Sequence, residues 1–244
     1  ADMVAPRVPT ARNFTVGEMG KAQLIRQPKT EIARTSPTPQ VTFSGADEEK
    51  KTIDYGLSTP VPNTEADNPQ FSGANITEMV TELVDNGSEY RLATALRDAS
   101  NYGSNTETLS GTDQFSDKDN SSPIEVINDI LDSMIVRGNY MAISRPVWTA
   151  LRVHPDLLTA VYGGNRDTGM VSRQGFLDLF ELEDVYVGDA WVNASQAINT
   201  VSLERAWGKD LIAFHKSDVN SLLGGNSFAL TAESDSRTAS EREN

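Results

Sequence analysis

The chain contains no cysteine and only two histidines in 244 residues. Without thiols, neither disulfides nor thiolate metal sites are available, so stability must come from packing or association. With histidine confined to His154 and His215, a Ser-His-Asp triad would need one of them as its base, and no G-x-S-x-G nucleophile elbow accompanies either. No catalytic, cofactor-binding or metal-ligating residue is assigned, and the chain is read as not an enzyme. Positive charge is also scarce. Lys and Arg number 21 against 35 Asp and Glu, for a net charge of −14, which excludes a protein whose whole surface clasps nucleic acid. No apolar run reaches membrane-spanning length, and the opening "ADMVAPRVPTARNF" has no hydrophobic signal core. A soluble, unsecreted chain with no membrane partner is expected.

Weaker motif matches dissolve on inspection. The pairs Gly163-Gly164 and Gly224-Gly225 lack the lysine and helix context of a phosphate-binding loop and read as turns. "DKDNSS", Asp117 to Ser122, resembles the start of a calcium loop, but Ser122 stands where the sharp-turn glycine belongs. Sequons at Asn13, Asn75, Asn86, Asn120 and Asn193 are read as chance in a chain rich in Asn, Ser and Thr. Trp148, Trp191 and Trp207 sit beside apolar neighbours at strand or helix spacing and are expected in the core, with a stacking platform for bases as the minor alternative.

What is present is an ordered series of unlike segments. At 38%, the hydrophobic content is modest for a compact globule, so arms and loops are expected around a smaller core. Residues 1–40 hold Pro6, Pro9, Pro28, Pro37 and Pro39 without sustained periodicity, the mark of an extended arm. Against the sign of the whole chain, Arg7, Arg12, Lys21, Arg26, Lys29 and Arg34 outnumber Asp2, Glu18 and Glu31 here. Such an arm is either a solvated tail or one that docks on acidic neighbours or packaged nucleic acid.

Next, Val41, Phe43, Ile53, Tyr55 and Leu57 alternate on either side of the charged run Asp47 to Lys51. The alternation predicts a long β-hairpin over Val41 to Asn63 with Lys50 and Lys51 at its tip. Its narrow apolar ribbon gives it little to gain from docking within the chain, so it is expected to project toward a partner.

From Asn75 to Ser100 the spacing becomes helical, with Ile76, Met79, Val80, Leu83, Tyr90, Ala93 and Leu96 or Arg97 near one stripe and a bend or short break expected at Asn86-Gly87. "SPIE", Ser122 to Glu125, has capping-box spacing with proline at the first helical position. It predicts a helix carrying Ile124, Ile127, Leu131 and Met134 and running to Gly138. "NYMAIS" then reads as a strand, Pro146 and Pro155 as starts of short helices, and "DVYVG" and "AWGKDLIAFHK" as strands. The result is a mixed α/β unit over residues 123 to 216. His154 falls at the junction of two helices, where a His-Pro step caps or packs.

In this order, "SPIEVINDILDSM", "NYMAISRPVWTALRVHPDLLTAVYG", "MVSRQGFLDLFELEDVYVGDAWVN" and "ERAWGKDLIAFHK" resemble the landmarks of the major capsid proteins of tailed bacteriophages. The resemblance rests on order and spacing over residues 40 to 216. It implies an α+β, tailed-phage capsid fold: an N-terminal arm (1–40), an extended loop formed by the β-hairpin (41–66), a peripheral domain with a long spine helix (67–122), an axial domain (123–225) and a C-terminal segment (226–244). It implies a shell subunit of an icosahedral or prolate virion, assembled in the host cytoplasm as a homo-oligomer of hexamers and pentamers. Scaffold, decoration and portal proteins would be partners, with enclosed double-stranded DNA contacted weakly. Phe43, Lys50, Lys51, Ile53, Tyr55, Arg7 and Arg12 are the expected intersubunit contacts. Members of the family continue with more strands after the axial domain, whereas this chain ends in "ESDSRTASEREN". Two other readings stay open at this point: an encapsulin-type bacterial compartment shell, which shares the fold, and a soluble hydrolase or binding domain.

Overall fold

A computed structural model describes residues 1–19, 27, 30–32, 40, 45–60, 73–164, 168–195, 201–217 and 227–234. In chain order the strands and helices are β1 (Arg7–Pro9), β2 (Asn13–Met19), β3 (Gly45–Lys51), α1 (Gly73–Arg97), α2 (Pro123–Ser133), β4 (Tyr140–Ser144), α3 (Arg145–Arg152) and α4 (Pro155–Tyr162). They are followed by α5 (Arg173–Phe180), β5 (Asp184–Gly188), β6 (Trp191–Asn193), β7 (Leu203–Arg205), β8 (Leu211–Phe214) and β9 (Thr231–Glu233). Short 3-10 turns at Ala99–Tyr102 and Gly111–Asp113 lie between α1 and α2. The chain divides into two compact units, one essentially Tyr55–Lys216, the other Val4–Asp54 with Ser217–Asn244.

In the larger unit, β4 is the central strand of a three-stranded sheet, parallel to β5 and antiparallel to β8. Met141 lies opposite Val185 and Ala213, and Ile143 opposite Val187 and Leu211, so these side chains share one face. That face is covered by α2 to α5: Ile127, Leu131, Trp148, Leu151, Leu157, Leu158, Phe176 and Phe180 are buried with Met141, Ile143 and Val185 in one cluster. Trp148 meets Phe176 edge-on at 5.1 Å, and Phe176 meets Phe180 at 4.8 Å, both within the range of favourable ring pairs. The helices expected at Pro146 and Pro155 and the strands at "NYMAIS" and "DVYVG" are all present, giving the expected mixture of helix and sheet.

The helix begun by Pro123 forms, but Ser122 makes no side-chain cap; its backbone, with ψ of 75°, departs from the extended geometry that aims a cap oxygen at the first turn. It also ends at Ser133, not Gly138, leaving Ile135 and Val136 exposed. Of the bend or short break expected at Asn86-Gly87, the break is absent: α1 runs unbroken from Gly73 to Arg97. Glycine weakens a helix by about 1 kcal/mol but removes no hydrogen bond. Only Ala93 and Leu96 of α1 are buried, so its apolar stripe is largely open.

Two glycines seat the segment before β8. A Cβ on Gly188 would come within 2.3 Å of the Trp207 ring. Gly208, at φ +54°, adopts a left-handed backbone, and a Cβ there would run into the Arg97 guanidinium. Trp207 is buried, as expected, and so is Trp148. Trp191 is not: it is 51% exposed, because its strand β6 pairs only with the three-residue β7 in a ribbon whose Arg205 stacks over the indole at 4.3 Å.

The smaller unit corrects the hairpin. Residues Asp47 to Lys51 are not a tip but part of β3, which pairs antiparallel with β2 from Asn13↔Lys51 to Met19↔Gly45. Residues 52–60 carry no regular secondary structure. The local alternation misled because the partner strand, "NFTVGEM", lies in the proline-rich arm, and a charged run is tolerated in a two-stranded ribbon where Glu48, Glu49, Lys50 and Lys51 are exposed. The arm is therefore partly ordered into strands. β1 pairs in parallel with β9, joining the two ends of the described chain, with Thr231 N–H donating to the Pro6 carbonyl at 3.0 Å.

Candidate assembly surfaces

The expected contact residues scatter over three places. Arg7, on β1, forms ion pairs with Asp2 at 3.0 Å and Glu233 at 3.2 Å, and the hydrogen bond to Asp2 pushes its pKa up. Arg12, Lys50, Lys51 and Ile53 gather at the open end of the β2–β3 ribbon. Lys51 lies opposite Asn13 and Lys50 opposite Phe14, Arg12 pairs with Asp54 at 3.6 Å, and Lys50 pairs with Glu48 on its own strand. Tyr55 belongs to the larger unit, where the Arg91 guanidinium of α1 stacks 3.6 Å from its ring centroid. Phe43 lies outside the described residues.

The one constellation that looks catalytic is structural. Ser121 Oγ stands 3.1 Å from His154 Nε2, and Asp156 Oδ2 stands 3.8 Å from His154 Nδ1. The proton count excludes a triad. Ser121 has one hydroxyl proton, which it donates to the Asp117 carbonyl, so toward His154 it can only accept. His154 Nδ1 accepts from the Asp156 backbone N–H at 3.3 Å, as the N-cap of α4. The imidazole therefore carries its proton on Nε2 and donates to Ser121 Oγ, the reverse of what a general base requires. His154 is fully buried at the α3–α4 junction, where the sequence placed it as a packing and capping group. His215 Nδ1 lies 3.3 Å from the Arg137 carbonyl.

Asp117 shows why the calcium reading fails. Its carboxylate is consumed by the Asp119 N–H, the Asn120 N–H and the Asn120 side-chain amide, and these bonds hold its pKa below the usual carboxylate range. Among the described residues no group of three or more acidic or histidine side chains is placed to hold a metal ion, and no helix is long and apolar enough to cross a membrane.

Two of the exposed surfaces are apolar. On α1, Met79, Leu83 and Tyr90 are 63%, 59% and 46% exposed and fall on one ridge. A second patch, on the β6–β7 ribbon, presents Trp191 and Leu203 on one face. The α1 ridge falls on the stripe that the sequence marks as the apolar side of a long helix, whereas Trp191 reads as buried. Only the absence of covering elements among the described residues marks them as surfaces.

Nearly all of the chain is similar to a known protein. It is 36% identical over 238 residues to a major capsid protein of Pseudomonas phage JBD67, covering 96% of this chain and 77% of that one. The chain belongs to the phage major capsid proteins. A solved structure of a phage-related protein from Bordetella bronchiseptica RB50 superposes with a TM-score of 0.65 at 20% identity, covering 91% of this chain and 73% of that one, which shows a shared fold. No family model matches the chain. A family of capsid proteins accounts for a molecule with broad exposed apolar ridges and a histidine doing structural work. Its role is structural, its place the virion and its working state an oligomeric shell.

Proposed function

We propose that this chain is the subunit of an icosahedral or prolate phage head, assembling as hexamers and pentamers in the host cytoplasm around double-stranded DNA. The observation that carries the reading is the similarity to a capsid protein along 96% of the chain. The open apolar ridge of α1 supports it, because a lone subunit leaves that ridge in water and neighbours can bury it. In this reading residues 67–122 form the peripheral domain with α1 as its spine, 123–225 the axial domain, and 226–244 the C-terminal segment. The extended loop lying across a neighbour is the β2–β3 ribbon with the residues it connects, which takes over the role expected of residues 41–66. Scaffold, decoration and portal proteins complete the partners. The catalytic reading loses its support with the proton count at Ser121 and His154, and the relative's identity as a phage capsid protein favours a virion over a bacterial compartment.

Negative-stain microscopy of the purified full chain, across protein concentration and with host lysate, tests the proposal. Shells, tubes or capsomers with five- and six-fold rings are expected. A monodisperse single subunit under every condition refutes it.

A further inference from the structure

Asn86-Gly87 lies in the middle of α1, and the helix around it is anchored from one side. From Gly73 to Ser88 no residue of α1 is buried, and Asn86 itself is exposed. Toward the C-terminal end the ties accumulate. Glu89 accepts from the Trp207 indole at 2.9 Å, the Arg91 guanidinium stacks 3.6 Å from the Tyr55 ring centroid, and Ala93 and Leu96 are buried. Upstream, the Thr77 and Thr81 hydroxyls donate to carbonyls of the same helix, those of Gly73 and Thr77, which adds no hold on the rest of the molecule. Gly87 is the weakest helix former short of proline. An opening that starts at the N-terminal end of α1 therefore reaches Asn86 before it meets the anchor at Glu89.

Asparagine followed by glycine has a chemistry of its own. With no side chain on Gly87 in the way, its amide nitrogen can attack Asn86 Cγ. A bond forms from that nitrogen to Cγ, the side-chain amide leaves as ammonia with the proton the nitrogen gives up, and a cyclic succinimide results. Water then opens the ring at either carbonyl, leaving aspartate or, where the main chain is rerouted through Cγ, isoaspartate. An intact helix blocks the first step twice: the Gly87 N–H is donated to the Leu83 carbonyl, and helical ψ at Asn86 holds the nitrogen away from Cγ. We infer that Asn86 is a deamidation site gated by α1, closed while the helix is intact and reactive when its N-terminal half opens. The change is one-way. Isoaspartate lengthens the main chain and breaks the helical register, and either product sets a new carboxylate next to Asp85 and at helical-neighbour spacing from Glu82 and Glu89, where like charges oppose the helix. The inference stands apart from the shell-forming reading.

Peptide mapping by mass spectrometry, on the full chain aged at mildly alkaline pH, tests it with two variants of the exposed Thr81. Thr81→Gly and Thr81→Ala differ in helix propensity and touch neither reacting atom. Aspartate and isoaspartate are expected at position 86, forming about five times faster in Thr81→Gly than in Thr81→Ala, with the wild type between them. All three should react more slowly than a free peptide spanning residues 80–92, and the deamidated chain should lose helical circular dichroism. If Asn86 survives in every full-length chain, Thr81→Gly included, through an interval that converts the peptide, it is not a deamidation site. Equal rates in the two variants, or wild-type conversion at the rate of the peptide, would show that α1 is no gate and overturn the inference.

Discussion

The indole N–H of Trp207 donates to Glu89 Oε1 at 2.9 Å, tying the turn before β8 to the middle of α1 across 118 residues of sequence. Two further bonds secure the same junction: Arg97 pairs with Asp210 and donates to the Ala206 carbonyl at 3.2 Å. Gly188 leaves room for the indole beneath. Trp207→Phe keeps most of the ring and loses the hydrogen bond, so a loss of about 1 kcal/mol is expected. Gly188→Ala forces the ring aside and should cost about 1–3 kcal/mol. Urea midpoints of the two variants measure both, and α1 should show raised hydrogen exchange before the sheet does.

His154 and Ser121 form a second long-range tie, and its proton arrangement can be read directly. Nitrogen-15 NMR of the imidazole should show the neutral form protonated on Nε2. Replacing His154 by Leu leaves the Asp156 N–H and Ser121 without their partner and should cost about 1–3 kcal/mol. A double-mutant cycle with Ser121→Ala should give a coupling of about 0.5 kcal/mol or more. Trp148→Ala, which opens a cavity against Phe176, should cost more, about 3–5 kcal/mol.

Stability should fall at both ends of the pH scale, for separate reasons. Hydrogen bonds from Tyr140 and Asn139 hold the Glu183 carboxyl below its ordinary 4.5, and Arg205 and Arg145 hold Asp189 below 3.8. Carboxyls with depressed folded pKa values stabilise the fold above their unfolded values, and that contribution disappears as pH falls through the folded ones. At the other end, burial pushes the Tyr102 phenol from 10.0 up to about 12. The unfolded chain ionises first, so stability is lost as pH rises from 10 to 12. Denaturant unfolding at a series of pH values should show a plateau bounded by these two slopes. Glu183→Gln should shallow the acid slope and Tyr102→Phe the alkaline one.

Glu181 ends α5 in the left-handed region, at φ 56° and ψ 44°, the one described residue other than glycine with positive φ. A side chain there costs about 1–2 kcal/mol, against about 0.5–1 kcal/mol of chain entropy that glycine would add. Glu181→Gly is therefore expected to leave stability unchanged or raise it by up to about 1 kcal/mol, measured as a shift in Tm.

By itself the sequence determined the elements whose instructions are local. Proline at the first helical turn placed α2, α3 and α4, apolar runs bounded by polar residues placed β4 and β5, and the His154-Pro155 step placed a capping histidine between two helices. Their order along the chain carried the family resemblance. Tertiary structure decided whatever depended on a distant partner. The run Asp47 to Lys51 became a strand because Asn13–Met19 lies beside it, and nothing in its own composition says so. The spacing of Met79, Leu83 and Tyr90 is the same whether a neighbour covers the ridge or water does. Trp148 and Trp191 have equally apolar sequence surroundings, yet α5 closes over one and only a short ribbon supports the other. Periodicity reports which side of an element is apolar, while burial is a property of what arrives to cover it. For the exposed ridges on α1 and the β6–β7 ribbon, no described element supplies that cover.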